Sequence, residues 1–236
     1  MTRLADLWWR LVSFGFCLLY GELSFTYDLV SWIVSLGAWR DWQRCALEHL
    51  PVPEAGTVLE LAHGTGHLQV DLRRRNYAAI GLDASPWMGR RAHATMRRAG
   101  MQADLFQAQA QQLPLPAASL AAVLSTFPTD FIVYEATLRE VYRTLKPGGV
   151  LVIVPSAELR TLKPGGVLVI VPSAELTGHG LLARFLEWLY RVTGQRDGNV
   201  QHFADRIVAH GFDVAVVPHV LQRSRAEVIV AHRRGI

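Results

Sequence analysis

The chemistry of this chain concentrates where the apolar run TVLELA gives way to the stretch Glu60-Leu61-Ala62-His63-Gly64-Thr65-Gly66-His67-Leu68. A glycine turn between a buried strand and a helix lets the backbone approach a ligand closely, at a helix N-terminus whose amides favour polar groups. Asp83 closes the next apolar run, 17 residues after Gly66. A carboxylate there can accept hydrogen bonds from both hydroxyls of a ribose. The spacing is not a dinucleotide fingerprint. G-x-G-x-x-G would need glycine at position 69, which is Gln69, so NAD chemistry is disfavoured. His63 and His67 flank the turn, and no spacing assigns either as a base. His202, His210 and His219 are too scattered for a metal site. Cys17 and Cys45 make neither a disulfide framework nor a zinc motif. No metal is expected.

The elements that must carry these residues follow from periodicity. TVLELA, YAAIGLD, ADLFQAQ, SLAAVLSTF and VLVIVP read as strands. HLQVDLRRR, SPWMGRRAHATMRRAG and YEATLREVYRTL read as helices. Ser85 is placed to cap the second of these, with Pro86 in its first turn. Lys146-Pro147-Gly148-Gly149 stops the third. Strands alternating with helices predict a doubly wound parallel sheet. FDVAVVPHVL and AEVIVAHRR predict a C-terminal antiparallel hairpin.

Composition bounds the rest. The chain has 236 residues, half of them apolar, and a formal charge of +4. That excludes disorder for most of its length and suits one domain with an appendage. A reducing cytoplasm fits the cysteine usage. The arginines at 73–75, 90–91 and 97–98 read as solvated helix faces, with an anionic membrane or substrate as the alternative. Few aromatics interleave with them, so no nucleic-acid partner is expected. Five of seven tryptophans precede position 43. The uncharged runs in that region, Leu11 to Gly21 and Leu29 to Trp39, have 11 residues each. About 20 are needed to span a bilayer. Residues 1–50 therefore read as short apolar helices forming a lid on a domain at 51–236. The lid would border an apolar pocket or touch a membrane surface peripherally.

Taken together, ELAHGTGHL, GLDASPWM, AQAQQLPLP and LREVYRTLKPGGVLVIVP resemble a class I S-adenosylmethionine-dependent methyltransferase from about Leu50 onward. FTYDLVSWIVSLGAWRDWQR is similar to the start of the ubiquinone/menaquinone-biosynthesis C-methyltransferase branch. The resemblance implies a Rossmann-like, seven-stranded α/β sheet and S-adenosyl-L-methionine as cofactor. It implies transfer of a methyl group to a small, hydrophobic, quinone- or lipid-like acceptor. It also implies roles. Glu60 would stand beside the cofactor's amino-acid end, and Gly64 and Gly66 under its methionine. Asp83 would hold the ribose, with Ala84 and Met88 near the adenine. Gln109 and Ala110 would lie by the adenine amine, and Ser125 and Thr126 would face the methyl. Tyr27 would close the pocket, with Phe127 beside it.

Three positions depart from the family pattern. Ala62 replaces the first glycine of E-x-G-x-G-x-G; a methyl is tolerable there at negative φ but crowds the ligand. Gln109 replaces the usual acid, and its amide oxygen can still pair with the adenine amine. Ala121 replaces an acid at the start of the fourth strand. The sulfonium methyl is already activated, so in-line transfer asks mainly for orientation and dryness. A phenol-like or carbon nucleophile needs a base, and none is assigned. The rival reading is a non-catalytic binding protein, disabled by Ala62 or by the repeat described next.

Residues 143–159, RTLKPGGVLVIVPSAEL, recur without substitution at 160–176. A 17-residue period is not a solenoid unit. Two identical copies read as a tandem duplication, so one fifth strand is surplus. Leaving VLVIV in water forgoes about 1.5–3 kcal/mol per residue. The favoured placement is a second parallel strand, reached through a short helix AELRTLK and inserted before the C-terminal hairpin; the alternative is extrusion.

Overall fold

The computed structural model describes residues 27–35, 37–160, 167–169, 200–221 and 224–234. The expectations for the tryptophan-rich segment before Tyr27 lie outside these residues. Helix α1 spans Tyr27–Ser35 and α2 spans Trp39–Cys45, followed by short 3-10 turns at Ala46–His49 and Pro53–Ala55. Then come β1 (Thr57–Leu61), α3 (His67–Arg74), β2 (Ala79–Asp83), α4 (Pro86–Arg98), β3 (Leu105–Gln107) and β4 (Leu120–Thr126). After a 3-10 turn at Asp130–Val133 follow α5 (Glu135–Thr144), β5 (Leu145–Arg160), β6 (Val167–Val169), α6 (Val200–Val208), β7 (Phe212–Leu221) and β8 (Ser224–Arg233).

The sheet order is β3-β2-β1-β4-β5-β8-β7, with β6 attached to β5 off this path. Strands β1 to β5 are parallel. The β7–β8 hairpin is antiparallel and β8 joins β5 antiparallel. This is the expected doubly wound sheet with its terminal hairpin. All seven residues of β4 are buried, as a central strand covered on both faces must be. One face packs Leu124, Val152 and Val154 with Leu68, Leu72 and Trp42. The other packs Val123, Leu151 and Ile153 with Leu138, Val141, Phe203 and Ile207.

The helix signals are placed as read. The Ser85 hydroxyl accepts the Met88 N–H at 3.3 Å, and Pro86 opens α4. α5 ends at Thr144, but Lys146-Pro147-Gly148-Gly149 is no separate turn. It is a bulge inside β5, where pairing jumps from Leu120↔Leu145 to Ala122↔Val150 and Gly148 takes a φ of +74°. α2 is less a cover than a part of the core. Trp42 is fully buried and its Nε1 donates to Ser224 Oγ at 2.9 Å.

The repeat corrects an expectation. The first copy supplies the fifth strand, and the second adds no parallel neighbour. Val167–Val169 pair antiparallel with Glu158–Arg160 of β5. The segment expected to begin a crossover helix instead prolongs β5, with Ser156 to Leu159 paired to Glu227 to Ser224 of β8. The reason is geometric. A parallel return needs a dozen or more residues, and 161–166 are too few. The ten-residue strands of the C-terminal hairpin also outrun VLVIVP and offer backbone partners to the residues that follow it. No strand is inserted between β5 and β8.

Candidate active site

The site lies at the carboxyl ends of β1, β2 and β4, where an open α/β sheet binds ligands. Gly66 caps α3 in the left-handed region at φ +79°. A Cβ there would meet the Ala92 Cβ at 2.7 Å and its Cα at 2.8 Å. Only glycine lets α3 and α4 approach this closely. Gly64 faces open space instead, with nothing within 4 Å of where a Cβ would stand. Ala62 is left-handed, at φ +56°. The condition of a negative φ for its methyl is therefore not met, and the residue carries the strain that a β-carbon brings to this region.

Asp83, expected from the resemblance to hold a ribose, bonds the backbone of this turn. Its Oδ2 accepts the Gly64 N–H at 2.9 Å and its Oδ1 the Ser85 N–H at 2.8 Å. It pins the glycine turn to the end of β2, and each oxygen keeps a further lone pair. Glu60 is 1% exposed and accepts from Gln69 Nε2 at 2.8 Å. Burial pushes its carboxyl up to about 8, against the hydrogen bond from Gln69 and with the nearby Asp83 charge adding to it. Glu60 is thus mostly uncharged near neutrality.

A cavity of about 220 Å³ opens over the turn. Its floor is Ala62 to Thr65 with His67, its side wall is Thr126, and its cover is contributed by Asp28, Ser31 and Trp32 of α1 and Trp39, Arg40 and Gln43 of α2. Gln43 Nε2 donates to Thr126 Oγ1 at 3.1 Å. Arg40 reaches Asp71 at 2.6 Å and Arg44 reaches the same carboxylate at 3.0 Å, locking α2 onto α3. Asp28 Oδ1 accepts the Thr65 hydroxyl at 2.7 Å. Burial would raise the Asp28 carboxyl, but hydrogen bonds from His67 and Thr65 and the charges of His67 and Arg91 outweigh it and hold the group below its ordinary value.

Of the residues singled out from sequence, Ala62, Gly64 and Thr126 line the cavity. Glu60 and Gly66 lie within or directly beneath the turn. Asp83 and Ala84 end β2 beside it, and Gln107 Nε2 donates to the Ala84 carbonyl at 3.1 Å. Gln109 is exposed on the loop after β3, Ala110 is buried there, and Met88 is buried in the first turn of α4. Ser125 and Thr126 do not share a direction, because neighbours on a strand alternate faces. The Ser125 hydroxyl is fully buried and donates to the Leu61 carbonyl at 3.0 Å, so of the two only Thr126 faces the cavity. Phe127, at φ +53°, stacks on Trp39 with ring centroids 4.2 Å apart. Tyr27 opens α1, and its side chain lies outside what is described. Asp28, Arg40 and Gln43 were missed. The available signal was the Tyr-Asp pair and the i, i+3 spacing of Arg40 and Gln43, which puts both on one helix face.

Residues 58–149 match the family model described as a methyltransferase domain. The demethylmenaquinone methyltransferase of Thermus thermophilus is 34% identical over 139 residues, 58% of this chain and 63% of that one. The ubiquinone/menaquinone biosynthesis C-methyltransferase of Syntrophotalea carbinolica is 31% identical over 143 residues, 59% of this chain and 60% of that one. The chain is thus similar to class I methyltransferases over its central sheet and glycine turn. Solved structures agree on the fold. A geranyl diphosphate methyltransferase solved with sinefungin superposes with a TM-score of 0.57 at 14% identity, covering 82% of this chain and 78% of that one. The phosphoethanolamine N-methyltransferase 2 of Haemonchus contortus gives 0.56 at 14% identity, covering 84% and 53%. The chain spans about three fifths of the length of the curated relatives it matches.

Proposed function

We propose that this chain transfers a methyl group from S-adenosylmethionine to a small, apolar, quinone-like acceptor. The observation that carries the reading is the position of the cavity. It lies between the glycine turn and the end of β4, under a cover bearing Trp32 and Trp39. The open space over Gly64 and the lone pairs left on Asp83 suit the cofactor's methionine and ribose. Bound there, the cofactor supplies a methyl group on a sulfonium. The chain supplies position and dryness. Glu60, on ionising, takes the ammonium end, Asp83 the ribose hydroxyls, and Gln109 with Ala110 the adenine edge. Thr126 and Gln43 orient the acceptor, and Trp39 stacked on Phe127 excludes water. The quinone-like class rests on the names of the two curated relatives above, and the aromatic cover suits it.

Calorimetric titration tests the cofactor: heat with S-adenosylmethionine and none with NAD is expected, and the reverse overturns the reading. Asp83→Ala is expected to weaken cofactor binding at least tenfold, since a hydrogen bond to a charged acceptor contributes about 1.5–3 kcal/mol. We further propose that the protein is cytoplasmic and that its N-terminal helices touch a membrane surface. Leu29 and Trp32 are 58% and 62% exposed, and no helix among the described residues is long and apolar enough to cross a membrane. Co-sedimentation with anionic vesicles, reduced in Trp32→Ser, is the expected result.

A further inference from the structure

A phenol-like acceptor sheds a proton when it gains a methyl group, so the reaction wants a base within reach of the cavity. Among the described residues, Asp28, His63 and His67 are the ionisable groups on its wall apart from Arg40. His63 is unsuited. It is 4% exposed, its Nδ1 lies 3.0 Å from the Gly64 carbonyl oxygen, and burial holds its basicity down. His67 differs. It is the first residue of α3, its side chain is 38% exposed, and its Nε2 lies 3.4 Å from Asp28 Oδ2. The other Asp28 oxygen is taken by the Thr65 hydroxyl, and Arg91 stands 3.9 Å from Oδ2. The carboxylate is thus oriented, with one oxygen turned to the imidazole. A carboxylate against one ring nitrogen holds the proton there and leaves the other nitrogen a lone pair for substrate.

We propose that His67 is the general base of the methyl transfer and that Asp28, carried in from α1, is its positioning residue. This rests on the methyl-transfer reading above. The acceptor's hydroxyl proton passes to His67 Nδ1. The electron pair it leaves is delivered through the ring carbon to the methyl carbon, and the carbon–sulfur bond breaks with its pair going to sulfur. The ring regains its hydroxyl as the displaced C–H proton moves to oxygen, and the proton on His67 leaves to water at the exposed edge of the imidazole. One proton is released per methyl, and Asp28 stays ionised throughout. The two halves of the base come from different pieces of the chain. It is complete only when α1 is seated on the glycine turn, so the contact that shuts water out also orients the imidazole.

The test uses the full chain, S-adenosylmethionine and 1,4-naphthoquinol as probe acceptor. His67→Ala is expected to lower kcat by about 10²-fold or more, to leave the acceptor KM and cofactor Kd near wild type, and to regain rate with added imidazole. Asp28→Asn is expected to lower kcat by about tenfold with KM unchanged, and Asp28→Glu to recover most of it. Long-range nitrogen–proton NMR of the wild type, with no acceptor present, is expected to find the His67 proton on Nε2 and to lose that preference in Asp28→Asn. Undiminished kcat in His67→Ala, no imidazole rescue, or a wild-type His67 protonated on Nδ1 would each overturn the proposal. Lack of cofactor binding by the wild type defeats the methyl-transfer reading instead. Binding without turnover of the probe defeats the acceptor class and leaves the NMR result to decide the dyad.

Discussion

Two ends of one sheet are built by different rules. At the β1–β2 end, five-residue strands stop in a turn whose shape comes from near neighbours. Asp83 holds Gly64 and Ser85, and Gly66 admits α4. At the β5–β8 end, shape comes from pairing. Identical residues there meet two fates. Val150 to Val154 are 3% exposed or less and lie between β4 and β8, whereas Val167–Val169 form a three-residue strand on the margin of β5. A turn written in side-chain chemistry can be read locally. A strand written in valine and leucine cannot, because its place depends on which edge is free.

The largest expected effect separates the two copies. Val152→Asp puts an unpaired charge in the middle of the sheet and should remove most of a domain stability of about 5–15 kcal/mol. Val169→Asp, the same change 17 residues on in a three-residue strand at the margin of β5, should cost less. Chemical denaturation of both variants checks this, and equal losses would erase the distinction between the copies.

The next test concerns Glu60 at the other end. Its folded carboxyl is raised from 4.5 to about 8, so the unfolded chain releases this proton first. Its contribution to stability is complete below about pH 4.5 and is lost as pH rises through about 8. Glu60→Gln should abolish that decline and make the variant more stable than wild type by on the order of 2 kcal/mol at pH 7. Thermal melts from pH 5 to 8 read it directly.

A smaller effect is expected at Ala62. Ala62→Gly relieves a left-handed β-carbon and should gain up to about 1 kcal/mol, seen as a rise in Tm of about 2–4 °C. A fall would mean that the turn has adapted to the methyl. The smallest effect is expected from deleting residues 160–176. The first copy already fills the sheet, so cofactor affinity should not change and Tm should move by less than about 2 °C. Loss of cofactor binding would show that the second copy supports the site after all.

The strands through β4, the cap at Ser85 and the turn around Gly64 and Gly66 were legible because each has a local cause: apolar periodicity, a hydroxyl one turn before an amide, and glycine where φ is positive. The candidate site was legible residue by residue on its turn side, but on its cover side only as an apolar lid with Tyr27. Asp28, Arg40 and Gln43 lie far from the turn in sequence, and no spacing relates them to Thr65, Asp71 or Thr126. The pair Ser125 and Thr126 was read as one site although strand pleating sends the two side chains to opposite faces.

The sequence by itself determined an α/β sheet with a glycine turn, an acid at the end of each of the first two strands, and a repeat too apolar to stay in solvent. Those are properties of composition, period and single-residue conformation. Tertiary structure alone decided which copy became the fifth strand, that the other turned back antiparallel, that Ala62 sits at positive φ, and that Asp28 meets His67. Each of these depends on which backbone edges and charged side chains become neighbours after collapse, and such contacts join residues that no local period connects.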